Sequence, residues 1–422
     1  MENSKHQLLY SLDDSPPFPR LLAYAVQWLL FAVGPIFSTA LVLGPVLELS
    51  PAQTVAFLQR LLVVSGVASL AQATIGHKLP AIEASAVFCW GYIIPLAERA
   101  RAIGLPVQKL MAQIQGGLIL AGIVIAGAAL LGLGPRIARL FTPTVRGVVL
   151  MMAVLQVCQP LVNSMTRGSD GRFHPLLAGV SSVVVFVVFS LSLCSNRLAK
   201  SLSLLTGLVT GWAISIVCGL SAPLPSVVKA EPLFFSWGLP SLEPYTAAML
   251  VLGYFVFLPN TIVSMAVVES AIGLDRSDMG LWAKGIMVNG LAQSLSGMMG
   301  GVGTVSWPAS AAIIRMTGVA ARLPYLLGCV FLAALGLLKP LISAVATIPV
   351  GVASAGAFAA MCNMFSLALQ EVCATPITSR RAIVIGFSVL SGLGIGRFSV
   401  IVAAISCILL EQLLDRHEEP EA

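Results

Sequence analysis

Apolar residues run in long blocks with brief polar punctuation, at 21–48, 53–76, 82–97, 110–133, 141–163, 174–194 and 200–221. The series then repeats at 240–269, 281–300, 305–316, 323–346, 348–370, 380–396 and 397–414. A helix crosses a bilayer with about 17–25 apolar residues. All but the third block of each half reach that length, so the pattern predicts fourteen transmembrane segments, seven per half, two of them short.

The short segments are also broken by proline. Leu79-Pro80-Ala81-Ile82-Glu83-Ala84-Ser85-Ala86-Val87-Phe88-Cys89-Trp90 opens the first, and Pro308 interrupts the run Val305 to Ile314 in the second, which follows the glycine-rich Gly300-Gly301-Val302-Gly303. Interrupted segments at matching places in two halves point to a transporter binding site. An odd number of crossings per half makes the second copy enter from the opposite side, which predicts inverted repeats. Short matches in common order support repetition: Leu70-Ala71-Gln72 with Leu291-Ala292-Gln293, Ala84-Ser85-Ala86 with Ala309-Ser310-Ala311, and Pro135 with Thr142-Pro143 against Pro340 with Ile348-Pro349. The expected organisation is a terminus at 1–20, repeats at 21–225 and 226–414, and a tail at 415–422.

Composition agrees with a membrane protein. Of 422 residues, 57% are hydrophobic and 10% charged, against about 25% charged in soluble domains. The net charge of +6 is spread over short loops with no basic run, which argues against nucleic acid. It reads instead as topology: with a cytoplasmic N-terminus, 15 of the 24 Lys and Arg fall on the inner side, which predicts both termini in the cytoplasm. Met1 to Arg20 lacks the apolar core of a signal peptide. The eight cysteines show no CxxC spacing and the four histidines are far apart, so neither a metal nor a cofactor is expected.

Few side chains in the apolar blocks can carry chemistry. Glu83 lies inside the first short segment, and an intramembrane carboxylate is a functional candidate by default; the alternative is a structural carboxylate bonding the loose donors of a broken helix. Glu269 ends the eighth block, as a ligand or proton acceptor or as an interfacial helix-end charge. Trp307 precedes the break at Pro308, where it could stack on a flat ligand or anchor at an interface. Ser85 and Ser310 head the two breaks, where freed backbone groups need partners. Gly117, Gly122, Gly127, Gly132, Gly207 and Gly211 read as helix-packing positions.

Several motifs resemble the nucleobase-ascorbate transporters, the group of bacterial uracil and xanthine permeases, and within it a divergent branch of bacterial purine permeases. Gly76-His77-Lys78-Leu79-Pro80-Ala81-Ile82-Glu83-Ala84-Ser85 resembles the entry to the family's broken third helix. Phe141-Thr142-Pro143-Thr144-Val145 and Ile348-Pro349-Val350 resemble the starts of helices five and twelve, and Met316-Thr317-Gly318-Val319-Ala320 resembles the end of the tenth-helix signature. Val26-Gln27-Trp28 has Trp28 for the usual histidine, Asn289 stands where an aspartate is usual, and Ala309, Ser310 and Ala312 replace the Gln/Glu, Asn and Gly of the signature. In the eighth helix the family glutamate lies three residues before a glycine, which here is Ser270, with Glu269 one place earlier.

The resemblance implies a core of segments 1–4 and 8–11, a gate of segments 5–7 and 12–14, short strands in segments three and ten, and often a homodimer. It implies a nucleobase bound near Glu83, Ser85, Val87, Phe88, Glu269, Ser270, Trp307, Ala309 and Ser310, with Glu83 or Glu269 coupling transport to H+. A rival is an anion transporter of the same architecture, which usually carries a soluble domain after the last helix, whereas here about eight residues follow Leu414. A facilitative carrier or a non-transporting membrane protein are further alternatives. An intramembrane enzyme would need a nucleophile with its base or a motif such as HExxH, and neither is present.

Overall fold

The structure is a computed structural model, and it describes residues 8–85, 89–133, 140–168, 171–196, 199, 202–221, 231–274, 279–395 and 399–415. The first half contains α1 (Phe18–Val46), α2 (Pro51–Thr74), β1 (Glu83–Ala84), α3 (Trp90–Ala102), α4 (Val107–Leu130), α5 (Pro143–Thr166), α6 (Pro175–Leu193) and α7 (Ser203–Val217). The second contains α8 (Pro244–Ala271), α9 (Met279–Met298), β2 (Val305–Ser306), α10 (Ser310–Thr317), α11 (Arg322–Leu335), α12 (Lys339–Val345), α13 (Val350–Cys373), α14 (Ser379–Ile395) and α15 (Ser399–Asp415). The fold is thus all-helical and polytopic, with a two-residue strand inside the third and tenth segments.

Local chemistry sets the helix starts. Ser50 and Gln53 form a capping box with Pro51 in the first turn of α2, which satisfies two amides that a helix start leaves open. Thr142 caps α5 through Val145 N, and Glu243 caps α8 through Thr246 N. The expected unbroken block at 323–346 is two helices, α11 and α12, bent by 81°. Gly336 ends α11, and Pro340 sits in the first turn of α12, where its missing N–H costs nothing. The first break also starts its helix later than the apolar block predicts, at Trp90, and carries it to Ala102.

Packing repeats across the halves. α9 lies against α4, and their counterparts α2 and α11 lie against each other; α1 against α11 is matched by α8 against α4, and α6 against α7 by α14 against α15. The two strands pair with each other, and α5 packs on α13, so that matching elements of the two halves meet in both places. α1, α2 and α4 are mostly buried along their apolar lengths and α6 mostly exposed, so the first three form the interior and α6 an outer face. Glycines allow the close contacts: a Cβ on Gly290 would lie 2.6 Å from Ala126 N and Gly122 O, and one on Gly66 would lie 2.7 Å from Ala333 and from Cys329 O. Among the glycines singled out for packing, Gly127 and Gly132 have nothing within 4 Å, so they play no such part.

Gly290→Leu is therefore expected to separate α9 from α4 and lower the thermal midpoint of the detergent-purified protein, at an overpacking cost of about 1–3 kcal/mol. Gly127→Leu in the same assay is expected to leave the midpoint unchanged.

Candidate functional site

The prolines at 80 and 308 end helical pairing inside segments that a bilayer requires to be fully hydrogen-bonded. The freed backbone is taken up by pairing the two breaks with each other: β1 and β2 run antiparallel, Glu83 opposite Ser306 and Ala84 opposite Val305. Trp307 N donates to Ile82 O at 2.8 Å, and Ile82 N donates to Ser310 Oγ at 3.0 Å. Reciprocally, Ser85 Oγ donates to Gly303 O at 2.8 Å. Each serine of the repeated Ala-Ser-Ala motif thus fastens its own break to that of the other half.

Side chains of the flanking helices supply the remaining partners. From α2, Ser69 Oγ accepts Glu83 N at 2.9 Å and donates to Glu83 O at 3.1 Å, and one turn earlier Ser65 Oγ accepts Ser85 N at 3.3 Å. From α9, Gln293 Nε2 donates to Thr304 O and its Oε1 accepts Thr304 N, while Ser296 Oγ accepts Gly303 N at 2.8 Å. Asn260 Nδ2 of α8 donates to Ser306 O at 2.6 Å, and Tyr325 of α11 donates to Ala81 O. Gly303 has a φ of 95°, which L side chains rarely adopt, and a Cβ there would collide with the Tyr254 hydroxyl. The repeated Leu-Ala-Gln motif acquires a use here: Gln72 and Gln293 each hold the break of their own half.

Glu83 is fully buried. Its Oε1 accepts Asn289 Nδ2 at 2.8 Å, and its Oε2 accepts Gln72 Nε2 at 3.2 Å and the Ser306 hydroxyl. The carboxylate therefore ties α2, α9 and β2 to β1 through three donors. Asn289 suits this place because its amide donates, where an aspartate would set two carboxylates against each other.

Trp307 is 6% exposed, its ring meets Phe31 edge-on at 5.8 Å, and its Nε1 has no hydrogen-bond acceptor. Beside it Ala309 is exposed at the start of α10. Ser85 and Ser310 are both fully buried and engaged with backbone. Val87 and Phe88 lie outside the described residues.

The expectation that Glu269 joins the breaks is corrected. Glu269 lies in the last turn of α8, with its Oε1 accepting Trp282 Nε1 at 3.2 Å. Asn260 is the α8 residue on the strand pair, and Glu269 is about 13 Å further along the axis at 1.5 Å per residue. Ser270 is exposed at the same helix end. Gln72, Asn260, Gln293 and Ser306 were absent from the expected site. Their signal was available, because each is a polar side chain inside an apolar block.

A family model of the xanthine and uracil permeases, described as the permease family, matches residues 19–401. The chain belongs to that family. It is accordingly a multi-pass transport protein of the cell membrane and not an enzyme. It is 25% identical to xanthine permease XanP of Escherichia coli strain K12 over 429 residues, covering 95% of this chain and 89% of that protein. It is 23% identical to xanthine permease XanQ of the same strain over 405 residues, covering 92% and 86%. The transmembrane domain of a cyanobacterium bicarbonate transporter, BicA, shares the fold with a TM-score of 0.64 at 15% identity, over 95% of this chain and 99% of that one.

Glu83→Ala is expected to leave buried donors of Asn289, Gln72 and Ser306 unpaired, at about 1–3 kcal/mol for each unsatisfied group, and to lower the thermal midpoint strongly. Glu83→Gln, which keeps an acceptor, is expected to lose less. Glu269→Gln is expected to lie within the scatter of the parent protein, and a loss as large as that of Glu83→Ala would refute the placement of Glu269.

Proposed function

We propose that the protein imports a planar nucleobase, a xanthine-like purine, together with a proton. The observation that carries this reading is the pairing of an unengaged, buried Trp307 Nε1 with the exposed start of α10 at Ala309. A flat heterocycle with amide-like edges suits an aromatic ring beside exposed backbone at a broken helix. The names of XanP and XanQ support a purine. Ala309 offers no side chain to the base, and the amides of Ser310, Ala311 and Ala312 already donate to Trp307 O, Pro308 O and Ala309 O, so recognition falls to Trp307 and the backbone at Ala309. In this reading α1–α4 with α8–α12 form a core that rocks against a gate of α5–α7 with α13–α15, both termini are cytoplasmic, and the chain pairs as a homodimer.

Glu83 is the proton carrier in this reading, in preference to Glu269. An ionised Glu83 accepts all its present hydrogen bonds; a protonated one has an O–H to donate. Gln72 Oε1 is buried without a partner, and an amide flip of Gln72 would present it to that proton. The Ser306 hydroxyl can reverse direction as well. Protonation would thereby loosen or tighten the grip of α2 and β2 on β1, next to the bound base.

In proteoliposomes with an inside-alkaline gradient, labelled xanthine is expected to accumulate, and a protonophore to abolish the accumulation. Glu83→Gln is expected to retain exchange of xanthine across the membrane while losing gradient-driven accumulation at least tenfold. Accumulation that survives the protonophore would sink the proton coupling. Absence of uptake for xanthine, guanine and uracil alike would sink the nucleobase assignment.

A further inference from the structure

Away from the paired breaks, at the membrane face where α2 and α4 begin, a cavity of about 130 Å³ is lined by Gln53, Arg60, Gln108, Glu231, Ser236 and Trp237, among others. Arg60 is 2% exposed, and a guanidinium so far from water needs its N–H groups occupied. One is: Nη1 donates to Glu231 Oε2 at 2.8 Å. Its Nε is buried and has no acceptor, and neither do the buried polar atoms Trp237 Nε1 and Ser236 Oγ. Three unengaged buried groups that can donate hydrogen bonds, one of them on a cation, thus line a single space whose anion, Glu231, is itself 29% exposed.

Such a surplus of donors in one place matches an acceptor-only guest. A small oxyanion offers two or more lone-pair oxygens to the Nε edge of Arg60, to the Trp237 indole and to the Ser236 hydroxyl. The rim supports a water-soluble guest, since Gln53 and Gln108 are exposed. We propose that this cavity binds a small oxyanion from the aqueous phase, with Glu231 acting as a built-in competitor for Arg60. The site also touches the transport region: Phe235 N donates to Met298 O at 2.7 Å, and a Cβ on Gly300, at the approach to β2, would lie 2.7 Å from Ser236 Oγ. A guest there would press on the segment that leads into the second break.

The test titrates the purified full-length protein, in nanodiscs of zwitterionic lipid, with acetate and with inorganic phosphate by calorimetry, with chloride holding the ionic strength constant. Saturable binding of either probe is expected. Glu231→Gln, which frees Arg60, is expected to tighten it at least fivefold, and Trp237→Phe, which keeps the ring on Phe57, to weaken it at least fivefold. Titration curves indistinguishable from chloride, or a Glu231→Gln protein that folds and binds no tighter than the parent, would overturn the proposal. If Glu231→Gln does not fold, unchanged binding in Trp237→Phe would overturn it. Binding abolished only in discs of anionic lipid would assign the cavity to a lipid headgroup, and would equally overturn a water-soluble guest. These readings need no transport, so they stand apart from the nucleobase assignment.

Discussion

The fold depends on one requirement, that backbone N–H and C=O groups freed inside a bilayer find partners within the protein. Pro80 and Pro308 open two helices where no water can compensate, and the two openings answer each other as a strand pair of two residues each. So short a sheet has almost no ladder of its own. Its register is set by side chains: Ser65 and Ser69 from α2, Gln293 and Ser296 from α9, Asn260 from α8 and Tyr325 from α11. Buried polar side chains from four helices are thus spent on this one junction.

Glu83 adds an ionisable group to that junction. A carboxylate is the natural acceptor for three converging donors, and its position couples four elements that an apolar residue would leave independent. The same geometry gives the group a structural duty, and each donor around it is an amide or a hydroxyl that carries no charge. Arg60 shows the contrasting case, a buried cation held by a partly exposed anion with further donors left over.

The inverted repeat is visible in chemistry as well as in packing. Gln72 and Gln293 descend from matching motifs and do matching work, yet one grips a carboxylate side chain and the other a peptide unit. Ser85 and Ser310 likewise cross-link in opposite directions. The halves share a scaffold and differ at the strand pair, with a carboxylate on one side and Trp307 on the other.

The sequence by itself determined the class, the order of the segments and the two breaks, because hydrophobic length and proline placement act locally and leave a direct trace along the chain. It also marked Glu83, since a carboxylate inside an apolar block has no cheap explanation. It did not reveal that α11 and α12 part at 81°, because an apolar run reads the same straight or bent. Nor did it decide which polar residue of α8 meets the strands. Glu269 carries the charge and drew attention for it, but helical rise and the docking of α8 put Asn260 beside Ser306 and left Glu269 with Trp282 at the helix end. That choice belongs to tertiary structure: it depends on the depth at which helices from opposite halves pack, and no local pattern encodes depth.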